Sequence, residues 1–280
     1  MRFAFSANAF RLYTLFETIN IISSTGYEGI EIMADIPHAY PTHLSDEDIE
    51  AIRDALAQNT LEVSNINAFM HHADGDTYHP TWIEKDPALR TRRIDYTLQC
   101  IDLAWKLGAD TISTEPGGPL EDMTREEGIR VFLEGLRVVE GKARERGVRI
   151  LIEPEPGLLI ENSTQFLELF EHLDPAVFGL NFDIGHFFCV GEDPSQLIRK
   201  MKDVIYHFHL EDIADTREHH HLMPGMGAID LHGVLRTIEE IGFEGFVTVE
   251  LYTYEYKAGQ AAYEAFHYLD EWRRLHSGQH

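Results

Sequence analysis

Hydrophobic and polar positions alternate between two kinds of pattern along the chain. Short apolar runs rich in β-branched residues, typical of buried strands, are separated by longer stretches in which apolar residues recur at helical spacing. Strands are predicted at 2–6, 29–33, 61–66, 110–114, 148–153, 178–183, 204–209 and 245–250. Helices are predicted at 12–24, from 45 onward, and at 88–107, 124–146, 163–172, 194–200, 231–241 and 260–275. The chain therefore reads as successive strand–helix units.

Strands that alternate with helices favour a parallel sheet, and eight such units in 280 residues favour a closed sheet over an open one. Ser45 with Asp48, and Thr124 with Glu127, have the spacing of capping boxes at helix starts. No linker-like or low-complexity segment interrupts the pattern. We therefore predict an α/β fold, a (β/α)8 TIM barrel, with one domain over residues 1–280.

Four consecutive predicted strands end in side chains that can bind a metal ion. These residues are Glu153, Asp183, His209 and Glu250. Each has an ordinary explanation alone: a solvated loop carboxylate, a helix cap at Asp183, or a core histidine. The carboxyl ends of parallel strands meet at one rim, however, and three carboxylates there would repel one another without a positive charge between them. The pattern therefore predicts a divalent cation.

The nature of these four side chains narrows the choice of metal. Three carboxylates and one imidazole suit Mn²⁺ (manganese) best, while Mg²⁺, Co²⁺, Zn²⁺ and Fe²⁺ are also compatible with such a set. Neither cysteine, Cys100 or Cys189, stands at a ligand position, which argues against a thiolate zinc site. One divalent metal ion is the expected cofactor.

The strongly negative net charge of the chain indicates which classes of binding partner are unfavourable. Asp and Glu number 48 against 23 Lys and Arg, for a formal charge of −25. Such a surface repels phosphate backbones and anionic lipids, so we expect neither nucleic acid nor membrane partners. The sequence lacks an apolar run of transmembrane length, and its first residues lack the apolar core of a signal peptide. A cytoplasmic location is predicted.

The motifs at these strand ends resemble those of the xylose isomerase-like TIM-barrel superfamily of sugar (phosphate) isomerases and epimerases. They are IEP with Glu153, FDIGH with Asp183 and His186, HFHLED with His209, PGMGAID from Pro224, and VEL with Glu250. The resemblance extends over essentially the whole chain. Within this superfamily, the chain is most similar to the branch that contains the ketose 3-epimerases and hydroxypyruvate isomerase.

The resemblance implies roles for particular residues. Glu153, Asp183, His209 and Glu250 would bind one divalent metal, and Glu153 and Glu250 would also be the catalytic acid/base pair. A histidine and an arginine would hold substrate oxygen; these correspond to His186 and Arg217.

The chemistry of these side chains fits independently of the resemblance. A metal chelated by a carbonyl and the neighbouring hydroxyl acidifies the α-carbon proton and stabilises an enediolate. Two carboxylates on opposite faces can then invert a centre, or return the proton to the neighbouring carbon.

We therefore predict a metal-dependent isomerase or epimerase of carbohydrate metabolism, with a keto-sugar or small hydroxy-ketone as its substrate. The first alternative is a keto-sugar lyase or dehydratase that uses the same site. Less favoured is a multinuclear metal hydrolase like endonuclease IV, which needs further metals and a cationic DNA-binding face. A barrel that binds sugar without catalysis would leave the carboxylates idle.

The segment 212–227 departs from the family pattern because it is longer and carries three consecutive histidines, His219, His220 and His221. Alternation along an extended backbone points His219 and His221 to one side. We expect at most these two to face the pocket and contact substrate oxygen, with Arg217 near the pocket. A second metal beside them is the alternative to the predicted single ion.

Polar residues at the remaining strand ends are further candidates for binding substrate hydroxyls. They are Glu115, His71, Asn67, Asn8 and Glu31. No cluster of Lys or Arg and no glycine-rich phosphate loop accompanies them, which favours an unphosphorylated small carbohydrate. The sequence is compatible with a homo-oligomer, either a dimer or a tetramer.

Overall fold

Eight parallel strands form a closed barrel in which each strand pairs with its neighbours in chain order and the first pairs with the last. The computed structural model describes residues 1–276. The strands are β1 (Arg2–Ser6), β2 (Gly29–Met33), β3 (Glu62–Asn67), β4 (Thr111–Thr114), β5 (Arg149–Ile152), β6 (Phe178–Asp183), β7 (Ile205–Leu210) and β8 (Phe246–Val249). The predicted (β/α)8 barrel is confirmed.

The helices surround the barrel. They are α1 (Leu15–Thr25), α2 (Asp46–Gln58), α3 (Pro87–Leu107), α4 (Arg125–Arg146), α5 (Ser163–Phe170), α6 (Ile184–Cys189), α7 (Pro194–Met201), α8 (Leu231–Glu240) and α9 (Ala258–His276). Short 3₁₀ segments lie at Ala7–Phe10, Pro41–His43 and Tyr252–Lys257. None of the helices in residues 1–276 is both long and apolar enough to cross a membrane.

Local capping chemistry accounts for most helix starts. The capping boxes predicted at Ser45 and Thr124 are both formed. The first helix begins later than predicted because Thr14 is its N-cap and accepts a hydrogen bond from the Glu17 backbone. Helix α6 was not predicted; Asp183 ends β6 and also caps α6, accepting a hydrogen bond of 2.7 Å from the His186 backbone. One carboxylate thus terminates a strand and starts a helix.

Polar side chains occupy part of the barrel interior beneath the rim. Thr111 Oγ1 donates to Asn65 Oδ1 at 2.7 Å. The two ring nitrogens of His207 lie 2.8 Å from Asn181 Oδ1 and 2.7 Å from Thr248 Oγ1. All five side chains are buried. Because buried polar groups are stable only when they are hydrogen-bonded, these two hydrogen-bonded groups form a polar base beneath the rim.

The segment that connects β3 to α3, residues 68–86 (the β3–α3 loop), folds over the rim and is fixed by Arg93 of helix α3. The Arg93 side chain is fully buried. Its Nε donates to the Pro80 carbonyl at 2.8 Å, and its Nη1 donates to the carbonyls of Phe69 at 2.9 Å and Ala68 at 3.2 Å. One guanidinium therefore ties the start of this loop to Pro80 in its second half.

Candidate metal centre

The four strand-end side chains converge at the carboxyl-terminal rim. His209 Nδ1 lies 3.0 Å from Glu153 Oε1, 3.6 Å from Glu250 Oε2 and 3.7 Å from Asp183 Oδ2. One potential ligand atom from each residue lies within 4.8 Å of the other three, and all four residues are buried. The structure thus brings together the residues that the sequence singled out.

These separations can be compared with those of a coordination sphere. Donor atoms roughly 2.1 Å from a cation lie roughly 3.0–3.4 Å apart at tetrahedral or octahedral angles. The distances from His209 Nδ1 are close to this range. Asp183 Oδ2 is buried and has no hydrogen-bond partner among residues 1–276, which is costly unless a positive charge compensates it. The four residues therefore fit a divalent cation.

The electrostatics of the cluster agree with this geometry. Burial raises the pKa of Glu153, and the charges of Asp183 and Glu31 raise it further against the opposing effect of His209. Burial also raises the pKa of Glu250 well above its usual value. The pKa of His209 is raised well above normal because the charges of Glu250, Glu31 and Glu153 outweigh its burial. The site thus stabilises positive charge at its centre.

Two amide side chains orient the catalytic candidates. Asn181 Nδ2 donates to Glu153 Oε2 at 2.7 Å, and Asn8 Nδ2 donates to Glu250 Oε1 at 2.7 Å. Each carboxylate therefore has one oxygen bound to an amide, which leaves the other oxygen directed at His209. Asn8, a candidate for binding substrate hydroxyls, thus also holds Glu250.

Glu31 lies below the four residues and fixes the orientation of His209. Its Oε2 is 2.8 Å from His209 Nε2, and Ser6 Oγ donates to its Oε1 at 2.6 Å. Although burial opposes this, the charge and hydrogen bond of His209 lower the pKa of Glu31 to about 2. A carboxylate at Nε2 keeps the proton on that nitrogen and leaves the Nδ1 lone pair for a cation. Glu31 was expected to bind substrate hydroxyls, but its contact is with His209.

We expect Glu31→Gln to weaken Mn²⁺ binding by about 10–100-fold, because the variant keeps the shape of the side chain but loses the charge that orients His209. Titration of the metal-free protein with Mn²⁺, followed by electron paramagnetic resonance of the free ion, measures this. Glu62→Gln is the control, since Glu62 is exposed at the start of β3. Equal Mn²⁺ affinity of the two variants would refute the role of Glu31.

A cavity of about 340 Å³ opens above the cluster. Its walls are formed by Asn8, Arg11, Asn67, Phe69, Met70, Thr77, Tyr78, Glu153, Glu155, His186, His219, Glu250 and Tyr252. Another cavity of similar volume, lined by Arg2, Arg53 and Tyr206, lies near the amino-terminal ends of the strands. Glu153 and Glu250 of the four-residue cluster line the first cavity, so this is the candidate active site.

Three of the seven residues predicted to bind substrate, namely His186, Asn67 and Asn8, line this cavity. Glu31 contacts His209 instead, and the remaining three also lie outside the cavity wall. The His71 ring stacks on Tyr96 at a centroid distance of 4.2 Å, with its Nε2 3.1 Å from Tyr40 Oη. Its surroundings are those of a buried structural residue rather than a substrate contact.

Glu115 and Arg217 also lie elsewhere. The Glu115 carboxylate is buried under the β3–α3 loop, where Oε1 accepts a hydrogen bond from the Trp82 backbone at 3.1 Å and lies 3.8 Å from Arg93 Nε. Arg217 lies in a separate cavity near α7, where its Nη1 donates to the Phe188 carbonyl at 2.6 Å and its guanidinium covers the Phe188 ring. The prediction that Arg217 lies near the pocket is wrong because its own loop turns it outward.

Sequence reasoning also missed residues that line the cavity. Arg11 lines the cavity where Arg217 was expected, and Glu155 and Tyr78 form a hydrogen-bonded pair on its wall in which Tyr78 Oη donates at 2.8 Å. Burial raises the pKa of Glu155 to about 8, despite the hydrogen bond from Tyr78. Its position two residues after Glu153 was a usable signal, whereas Arg11 and Tyr78 lie in segments without periodicity.

The segment 212–229, called the histidine loop below, is closed at its base by one carboxylate. Asp212 accepts backbone hydrogen bonds from Gly225, Gly227 and Ile229 at 2.8–3.1 Å, and also one from Ile213. Its bonds to both the start and the end of the loop keep the two ends together.

Within the histidine loop, the three histidines differ in position as alternation predicts. His219 lines the cavity, His221 is buried, and His220 is exposed. Burial lowers the pKa of His219 to about 4 and that of His221 to about 3. Both imidazoles are therefore neutral at ordinary pH.

The sequence model of the family described as xylose isomerase-like TIM barrel matches residues 19–272. An inosose dehydratase of Lacticaseibacillus casei is 30% identical over 154 residues, which is 49% of this chain and 52% of that protein. An inosose dehydratase of Clostridium perfringens strain 13 is 22% identical over 267 residues, covering 85% of this chain and 82% of that protein. The match to the first relative thus spans about half of its length.

Solved structures share the fold over the whole chain. A D-tagatose 3-epimerase-like protein superposes with a TM-score of 0.82 at 20% identity, covering 100% of this chain and 99% of its own. The IolI protein, solved with a bound zinc atom, superposes with a TM-score of 0.80 at 21% identity, covering 99% and 100%. At these identities the likeness establishes the fold alone.

Proposed function

Since the chain belongs to the xylose isomerase-like TIM barrel family, we propose that it is a divalent-metal-dependent enzyme that moves a proton on a polyhydroxy ketone. The substrate class is an unphosphorylated keto-sugar or cyclic keto-polyol, and the reaction is an epimerisation or isomerisation. The observation that carries this proposal is the pair Glu153 and Glu250. Both line the cavity, and each has one oxygen held by an amide and the other directed at the same histidine.

Glu153, Asp183, His209 and Glu250 are proposed as the metal ligands, and Mn²⁺ as the ion that they hold. The bound ion would supply a Lewis acid for the substrate carbonyl and the adjacent hydroxyl. A zinc atom is bound in the IolI structure, and Zn²⁺ is compatible with the same side chains.

The protein groups supply the proton transfer. One carboxylate of the pair Glu153 and Glu250 takes the proton from the carbon next to the carbonyl, and the other returns a proton to the opposite face or to the neighbouring carbon. Asn181 and Asn8 keep the two carboxylates in place. His186, Asn67 and Arg11 are on the cavity wall and are proposed to hold substrate oxygens.

Dehydration of the same substrate class is the second candidate, favoured by the inosose dehydratases among the relatives. It begins with the same removal of a proton next to a carbonyl. A hydroxyl on the following carbon then leaves as water, which requires a proton donor at a second position. Glu155, hydrogen-bonded by Tyr78 on the cavity wall, is placed for that role.

The cavity and the net charge support the proposed substrate class. Of the residues that line the cavity, all within the described chain, Arg11 is the one arginine or lysine, which favours a substrate without phosphate. A formal charge of −25 argues against a nucleic-acid hydrolase. A cytoplasmic location, one domain over residues 1–280 and the oligomeric state remain predictions.

Incubation in D₂O with a panel of ketoses and inososes tests the proposal. With Mn²⁺ present, an epimerase or isomerase should incorporate solvent deuterium next to the carbonyl, and its product should otherwise have the same molecular formula as the substrate. A dehydratase should release water and form an unsaturated or diketone product. Both activities should disappear with a chelator and return with Mn²⁺. A panel with neither turnover nor deuterium exchange, under metal-saturating conditions, would contradict the proposed chemistry.

A further inference from the structure

We propose that Arg11 binds a carboxylate of the substrate, so that the proposed keto-polyol is a sugar acid whose anionic end lies away from the metal centre. The inference rests on the proposed function for the class of substrate, but it concerns a different part of the cavity. Arg11 lines the cavity and its side chain is exposed. The observation that carries the inference is a guanidinium on the cavity wall that the protein itself leaves unpaired.

Arg11 belongs to the same short turn as Asn8. The segment Ala7–Phe10 is a 3₁₀ turn, and the backbone of Arg11 continues it with a φ of −62° and a ψ of −14°. Side chains three residues apart are eclipsed in such a helix and are separated by roughly 6 Å along its axis. Asn8 is buried and its Nδ2 donates to Glu250. The exposed Arg11 therefore lies on the same face of the turn, one turn further from the buried centre.

The protein does not neutralise Arg11. Among residues 1–276, no carboxylate forms an ion pair with its guanidinium and no carbonyl accepts a hydrogen bond from it. Asp35 lies in the same neighbourhood, since both charges act on the His72 ring. The Asp35 carboxylate is fully buried, however, and accepts three backbone hydrogen bonds at 2.5–2.9 Å. The acid that could have paired with Arg11 thus holds the backbone instead.

Arg11 is the one positive charge at this end of the cavity. No other arginine or lysine lines the cavity within the described chain. His72 belongs to the β3–α3 loop; burial lowers its pKa, and the charge of Arg11 lowers it further. The His72 ring is therefore neutral at ordinary pH and adds no second positive charge. An anion at this end of the cavity would be bound by a single guanidinium.

A single guanidinium favours a carboxylate over the other groups that a sugar can carry. Its planar fork donates two parallel hydrogen bonds to the two oxygens of a carboxylate, a geometry that one hydroxyl cannot match. Phosphate sites commonly use a glycine-rich loop at a helix start, and no glycine lines this cavity in the part of the chain that the structure describes. The carboxylates of Glu153, Glu155 and Glu250 on the wall also repel a dianion more than a monoanion.

Pairs of ligands that differ only at the terminal carbon test this assignment. D-fructose is paired with D-fructuronate, and D-tagatose with D-tagaturonate; each acid carries a carboxylate in place of the hydroxymethyl group. Isothermal titration calorimetry with Mn²⁺-loaded protein gives Kd, and steady-state kinetics give kcat and KM. In at least one pair we expect the acid to bind about 10-fold more tightly, because hydrogen bonds to charged groups are strong but water screens the exposed Arg11.

Arg11→Met keeps the length of the side chain but removes its charge and its donors. The ratio of the two Kd values within a pair should fall about 10-fold, and the change should appear in KM for the acid rather than in kcat. A group remote from the reacting carbons contributes equally to the ground state and the transition state. Arg11→Lys keeps the charge without the fork and should restore part of the preference.

Arg137→Met is the matched control. Arg137 is exposed on α4, outside the cavity, so its replacement changes the net charge equally and should leave the preference for the acid unchanged. A preference that Arg11→Met retains, or that Arg137→Met removes to the same extent, would overturn the proposal. So would equal binding of acid and ketose by the wild type in both pairs.

Two further results separate this site from its neighbours. D-fructose 6-phosphate that binds through Arg11 more tightly than either acid would overturn the assignment to a carboxylate. Binding of an acid that depends on Arg11, without turnover or deuterium exchange in D₂O, would support the carboxylate site and contradict the proposed reaction. The failure of the inference and the failure of the proposed function are therefore distinguishable.

Discussion

Glutamine in place of Glu250 is expected to lower turnover by roughly 10²–10⁴-fold or more, measured with whichever ketone the panel identifies. The variant retains an oxygen that can accept the hydrogen bond of 2.7 Å from Asn8, but its amide cannot take a proton from carbon. The loss should persist at Mn²⁺ concentrations that saturate the variant. It would then be a loss of kcat rather than of metal affinity alone.

The matched control for this variant is Glu244→Gln. Glu244 is exposed before β8, away from the cavity, and its replacement should leave turnover unchanged. Glu153→Gln should resemble Glu250→Gln, since both carboxylates are required to move the proton. Full turnover by the metal-saturated Glu250 variant would exclude this residue from the chemistry and leave the metal as the main catalyst.

Arg93→Met is expected to lower the free energy of unfolding by about 3–5 kcal/mol, the largest effect on stability that we predict. The substitution removes the donors for three loop carbonyls and leaves the buried Glu115 carboxylate without its nearby positive charge. The β3–α3 loop should exchange its amide hydrogens faster as a result. Urea unfolding monitored by circular dichroism measures the change.

The neighbouring residue provides the control. Arg92 is exposed and lies 3.4 Å from Asp74 in a surface ion pair, so Arg92→Met should cost only about 0–1 kcal/mol. The two substitutions are chemically identical and differ by one position on α3. Equal midpoints of urea unfolding for the two variants would show that the buried guanidinium of Arg93 contributes no more to stability than the surface ion pair of Arg92.

The sequence predicted the barrel and the central cluster because both follow from short-range periodicity. Side chains along a strand point alternately into and out of the barrel, and the carboxyl ends of parallel strands meet at one rim. Glu153, Asp183, His209 and Glu250 could therefore be placed at that rim without knowledge of any loop. His186 was identified through the FDIGH motif of the family resemblance, and the structure places it one turn after Asp183 in helix α6. These residues lie only a few positions in sequence from the end of a strand, so the regular backbone of the strand determines where they are.

The same reasoning failed where a long connection intervenes. Arg217 lies seven residues beyond the end of β7, and its backbone has a φ of 60°, a left-handed turn that the sequence does not signal. Glu115 and His71 do follow strands, but the β3–α3 loop folds over Glu115 and aromatic residues enclose His71. Which side chains a loop covers depends on contacts distant in sequence, such as those of Arg93, and no local pattern records them.

The carboxylate of Asp212 has a consequence for how this protein could diversify. Because it binds backbone groups at both ends of the histidine loop, it closes the base of that loop as a ring. Insertions, deletions and exchanges between Asp212 and Gly225 can therefore accumulate without displacing β7 or α8. Selection could graft a new loop, with a new set of metal or substrate contacts, onto an unchanged barrel in a single recombination event.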